Sequence, residues 1–166
     1  MKVIIPTSQS EITLRQYIEA QDKPEREQIA IYLNLTQEEL NQVPQSVYDE
    51  ALQHISKAME EEPKHVMRFK IGSTEYGMVP DLNDIESGAF ADAENHATEL
   101  DGAHIFLNAL YRPIKRKASV FYSVKAYDAR RAISLLDAPL SVYTSTLVFF
   151  YNLGKDLGIY TPSSTK

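Results

Sequence analysis

The sequence predicts an α+β fold, a mostly helical single domain with a central β-hairpin or small antiparallel sheet. Three observations carry that expectation. Apolar residues recur at spacings of three and four through Val47, Tyr48, Ala51, Leu52, Ile55 and Met59, which is one face of an amphipathic helix. Alternation runs through Met67, Phe69 and Ile71 and resumes at Tyr76 and Met78 beyond Gly72-Ser73, the pattern of two strands joined by a two-residue turn. Helix-like segments lie on both sides of that hairpin, so helices are expected to cover one face of whatever sheet it nucleates.

The elements follow in order. "MKVII" reads as a short β-like entry closed by Pro6. Ser8 and Glu11 have the spacing of a capping box, opening a loose helical stripe of Ile12, Leu14, Tyr17 and Ile18 that "DKP" breaks at 22–24. Pro24 suits a first helical turn, before Ile29, Ile31, Tyr32, Leu33 and Leu35. Thr36 and Glu39 make a second capping box, and Pro44 begins the most regular helix. In the hairpin, the Gly-Ser turn sets Phe69 opposite Tyr76 and Lys70 opposite Glu75, two favourable cross-strand pairs. Pro80 ends the second strand, and an acidic segment through Ile85, Ala89, Phe90 and Ala93 has weak helical period. Asp101 is placed to cap a helix burying Ile105, Phe106, Ala109 and Leu110, which stops at "YRP". "ASVFYSV" reads as an edge strand, Asp128 caps a modest helix to Leu136, and "DAPLSVYTSTLVFFYNLGKDLGIY" is a last apolar helix. The strands near residues 2–5 and 119–124 are expected to extend the hairpin into a sheet. Residues 1–160 make one domain and 161–166 a frayed tail.

A chain of 166 residues with 43% hydrophobic and 24% charged content is long enough to bury a core and falls in the globular range. With no cysteine, disulfides, thiolate metal sites and thiol catalysis are excluded, which suits a reducing compartment. Neither the amino terminus nor any internal run has the apolar length of a signal peptide or a membrane span. The net charge of −6 conceals a division: residues 1–100 carry 8 Lys and Arg against 19 Asp and Glu, and residues 101–166 carry 9 against 4. Halves of opposite sign attract within one molecule and between copies stacked head to tail.

Motifs for chemistry are absent from the sequence. Its six glycines never fall in "GxxxxGK" or "GxGxxG" order, and no "GxSxG" elbow occurs. The four histidines are too dispersed for a zinc-peptidase pair. The best metal fragment is "DAENH", with Asp92, Glu94 and His96, joined by Asp101 and His104; such side chains can hold a divalent ion, but a solvated acidic helix face accounts for them as well.

"RPIKRK" has two readings. As a phosphate patch, Arg112, Lys115, Arg116 and Lys117 would work with Arg130 and Arg131, and Tyr111, Phe121 and Tyr122 would stack on bases. A pI near 5.2 argues against nucleic acid. As a helix C-terminus, the cations meet exposed carbonyls and Pro113 forbids continuation, leaving them to dock an acidic surface. The second reading is preferred. "LVFFYNLG" holds more apolar side chains than one narrow stripe needs, so the surplus is covered by this domain or by another chain. Gly154 and Gly158 weaken that helix end.

Three stretches in order, "MKVIIPTSQSEITLRQY", "RFKIGSTEYGMVPDLNDIESGAFAD" and "LYRPIKRK" with "LVFFYNLGKDL", resemble small tailed-bacteriophage proteins associated with tail assembly chaperones and other morphogenesis or virion components. The resemblance spans about residues 1–155. It departs after the hairpin, where this chain reads "SGAFADA" and the family tends to read like "GEYIDL", with Phe90 in the tyrosine's place. What the resemblance implies is a non-enzymatic protein without cofactor, acting in the host cytoplasm during assembly. Its partner would be a phage structural protein of tail or tape-measure type, or other copies of itself. An apolar groove rimmed by charge would serve such work, and the expected groove is the final helix through Phe149, Phe150 and Leu153, with Arg112, Lys115, Arg116 and Lys117 as its rim. Charge reversal of those four cations is expected to weaken partner binding and spare the fold. The alternative is a structural virion component (connector, neck or packaged protein) that assembles through oppositely charged surfaces and stays in the particle.

Overall fold

The computed structural model describes residues 2–156. Seven α-helices are placed there: α1 (Leu14–Ala20), α2 (Glu25–Tyr32), α3 (Gln37–Asn41), α4 (Gln45–Met59), α5 (Ser87–His96), α6 (Ala103–Leu110) and α7 (Leu140–Asp156). Four strands, β1 (Arg68–Ile71), β2 (Thr74–Met78), β3 (Tyr111–Ala118) and β4 (Phe121–Val124), form one antiparallel sheet in the order β1-β2-β3-β4. The fold is α+β, as the sequence predicts.

The first hairpin forms in the expected register, with Phe69 opposite Tyr76 and Lys70 opposite Glu75. Gly72 carries the turn at φ +59°, where a Cβ would be strained. The Phe69 and Tyr76 rings stack at 5.4 Å. The sheet grows from it differently from expectation. Residues 2–5 pair with nothing in the sheet, and the third strand comes from "YRPIKRKA", which pairs Tyr111 with Met78 and Pro113 with Tyr76. Helix α6 ends at Leu110, and the chain passes directly into β3. The cations and proline do stop the helix, but the next residues find an open edge on β2 and complete its backbone hydrogen bonds.

Gly77 lets β4 come close. A Cβ there would lie 2.6 Å from the Tyr122 ring, which rests on β2 and donates its hydroxyl to the Met78 carbonyl at 2.6 Å. Between Ile114 and Arg116 the β3–β4 register shifts, so Lys115 is an extra, bulged residue.

Helix ends follow local chemistry with exceptions. Thr36 and Glu39 form the expected capping box, but the box at the chain start belongs to Thr13 and Gln16. Ser8 instead caps the 3₁₀ turn Gln9–Glu11. Asp128 caps as expected, over a 3₁₀ helix (Ala129–Asp137) rather than an α-helix. Gly102, not Asp101, precedes α6. The buried core gathers Ile12, Leu14, Leu40, Phe106, Leu107, Leu110, Tyr111, Leu135 and Val142. Hydrogen bonds from Leu14 N–H to the Ala138 carbonyl and from Leu140 N–H to the Ile12 carbonyl fasten the chain start to the base of α7. No described helix is long and apolar enough to cross a membrane. Gly158 and the tail 161–166 lie outside the described residues.

Candidate functional site

Two places in the structure collect the residues singled out by the sequence, and a third holds none of them. The first is the basic strand. Arg112 is only 2% exposed, so it cannot serve as a rim cation. Its guanidinium grips Glu86 with two hydrogen bonds of 3.0 and 3.2 Å, donates to the Ala109 carbonyl at 3.0 Å and lies 5.4 Å from the centre of the Tyr127 ring. The contact to Ala109 is the helix-end cation expected from sequence, made from inside the fold. Burial pushes the Glu86 carboxyl up, but the Tyr127 amide and the Arg112 guanidinium outweigh it and hold the group at about 2.

Lys117 is engaged too, in an ion pair with Glu75 on the neighbouring β2 that lowers the Glu75 pKa. Lys115 and Arg116 are exposed, with no ion-pair partner among the described residues. Beyond them the β3–β4 turn, with Ser119 at φ +58°, lifts Val120 and Phe121 into solvent, 72% and 77% exposed. Of the predicted cation set, then, Lys115 and Arg116 flank an apolar tip and Arg112 belongs to the interior.

The second place is the end of α7. Phe150 is 6% exposed and packs edge-on against Phe106 at 5.3 Å, so the domain itself covers it, and it is not groove surface. Phe149 stacks on His65 at 4.3 Å with rings 13° from parallel, and Leu153 is half-buried. Helical geometry separates adjacent side chains by about 100°, which sends Val148 and Tyr151 outward instead. Burial lowers the pKa of His65 from its ordinary 6.5, and burial together with the nearby His96 lowers that of His104. The native state therefore binds fewer protons than the unfolded chain below pH 6.5. Their contribution is complete above that value and is lost as pH falls through the lowered native pKa values. We expect the urea midpoint to drop between about pH 7 and about pH 5, and to drop less in His65→Phe, which keeps the stack without the titration. An equal drop in both proteins would refute the role of His65.

The third place, missed by sequence reading, is an open groove of about 520 Å³ between α1, α2, α4 and α7. Ile29, Leu52, Ile55, Met59 and Leu140 make its floor, and Gln21, Glu25, Gln28 and Ser56 its rim. Gln9 supports one wall. Its buried amide donates to the Ala58 and Glu61 carbonyls at 3.0 and 3.1 Å and accepts from the Thr144 hydroxyl at 2.7 Å. The periodicity of α2 and α4 identifies Ile29, Leu52, Ile55 and Met59 as inward faces, but nothing local says that the two faces stop short of full contact. None of the seven predicted site residues lines this groove.

No described family, curated protein or solved structure matches the chain.

The acidic segment is dispersed by its own contacts. Asp92 accepts the Tyr127 hydroxyl, and the His96 ring lies under Gly102, where a Cβ would meet it at 2.5 Å. Nδ1 of His96 stands 3.9 Å from a Glu99 carboxylate oxygen. Among the described residues no three His, Asp or Glu side chains converge on a point a metal ion could occupy. Phe90 stays partly exposed on α5.

Proposed function

We propose that this protein is a non-enzymatic bacteriophage morphogenesis protein, a tail assembly chaperone that holds an apolar segment of a phage structural protein. The observation that carries the reading is the groove, with its apolar floor, its polar rim and a volume within the range of about 300–1,000 Å³ typical of binding pockets. Apolar contact with the floor supplies affinity, and hydrogen bonds with Gln21, Gln28 and the accepting Glu25 carboxylate at the rim set the register of the bound segment. The likeness to phage morphogenesis proteins supplies the partner class, a tail or tape-measure protein. The groove replaces the end of α7 as the client site, because Phe150 is committed to the core.

Ser56 is exposed at the rim, so Ser56→Arg obstructs the groove without touching the core. Tagged wild-type chain from infected cells is expected to carry a phage tail or tape-measure protein, and the variant to carry at least about tenfold less, a loss of about 1.4 kcal/mol in binding. Equal recovery with both chains would overturn the groove as client site. Purified virions decide the alternative role. A chaperone is absent from them, whereas a connector, neck or packaged component is present in fixed copy number.

A further inference from the structure

We propose that the groove also receives the β3–β4 hairpin tip of a second copy of this chain, so that copies join head to tail. The tip is a projecting apolar knob of Val120 and Phe121, and the groove is an apolar hollow floored by Ile29, Leu52, Ile55 and Met59. Their electrostatics are opposite. Residues 103–127, which include the hairpin, hold five Lys and Arg and no carboxylate, while residues 9–62, which include α1, α2 and α4, hold twelve Asp and Glu against four Lys and Arg. Both fields belong to one chain, and that complementarity selects a second copy as the occupant. Lys115 and Arg116 beside the tip would then approach the Glu25 side of the rim, steering the encounter and fixing its direction.

The contact joins two different patches, so each junction leaves a free tip at one end and a free groove at the other. Such a heterologous contact continues into a ring or an open stack. A two-residue knob buries far less area than an obligate interface, so association is weak and reversible. In the chaperone reading, the same groove takes the client, and a copy holding a client has released its neighbour's tip. Self-association itself does not depend on that reading and is measured on the purified chain alone.

The test is sedimentation of the purified protein over a concentration series. The weight-average mass is expected to rise above 18.8 kDa with concentration, and the association constant to fall at least about fivefold when salt is raised from about 0.05 to about 0.5 M. Phe121→Asp removes the tip and Ser56→Arg blocks the groove; each alone is expected to stay monomeric. Mixed in equal amounts they are expected to form dimers and nothing larger, because the mixture retains one intact junction, between the tip of the groove variant and the groove of the tip variant. Both positions are exposed, and unchanged thermal midpoints confirm the folds; should Ser56→Arg lower its midpoint, Glu25→Lys replaces it. A wild-type chain that stays monomeric throughout overturns the proposal. So does association that survives either variant, or a mixture that yields no dimer. Client capture separates the two readings: retained capture by Phe121→Asp with lost self-association upholds both, and equal capture by Ser56→Arg and an associating wild type overturns the client reading alone.

Discussion

Arg112→Ala is expected to destabilise the fold by about 2–4 kcal/mol. Removing one member of a buried, hydrogen-bonded ion pair costs about 3–5 kcal/mol, and the lower range applies because Glu86 keeps 43% of its side chain in solvent and rehydrates in part. The loss extends beyond the pair. Arg112 joins the end of α6 through the Ala109 carbonyl, the start of α5 through Glu86, and the segment after β4 through the Lys125 carbonyl and the Tyr127 ring. Alanine leaves these acceptors without their donor and opens a cavity beside β3. At about 2–4 °C per kcal/mol for a chain of this size, Tm should fall by about 4–16 °C. Arg112→Lys keeps the charge but cannot reproduce the two-pronged grip, and most of the loss should remain. A decrease below about 1 kcal/mol in urea unfolding of Arg112→Ala would show that the side chain is dispensable.

The second large effect separates two adjacent phenylalanines. Phe150→Ala should cost about 3–5 kcal/mol, the usual range for emptying an aromatic core site, because its ring packs against Phe106, which in turn meets Tyr143 at 6.4 Å. Phe149→Ala removes a half-buried ring stacked on His65 and should cost about 1–2 kcal/mol. Equal losses, or the reverse order, would mean that the end of α7 is rotated from the placement described.

The contrast shows what could be read along the chain. "LVFFYNLG" announces a helix with too many apolar residues for one stripe, and that is true of α7. Which phenylalanine faces inward depends on the azimuth at which α7 docks on α6, and the docking partner lies some forty residues away. Similarly, "RPIKRK" signals the end of a helix and does end α6. The four cations then part company. Arg112 sits where β3 enters the core, Lys115 is bulged, Lys117 reaches Glu75, and Arg116 remains at the surface. A count of charges is blind to that division because it arises from alternation on a strand whose partner edge is formed thirty-five residues earlier.

By itself the sequence determined the α+β class, the first hairpin with its register, the capping of α3, and the division between an acidic first hundred residues and a basic remainder. Each rests on periodicity, turn chemistry or composition, which act over a few residues or over none. Tertiary structure alone decided that the entry segment stays out of the sheet and β3 takes its place, that Arg112 and Phe150 are interior, and that α1, α2, α4 and α7 leave a groove. Those outcomes depend on how preformed faces meet across long separations, where burial and hydrogen-bond completion are settled between segments rather than within them.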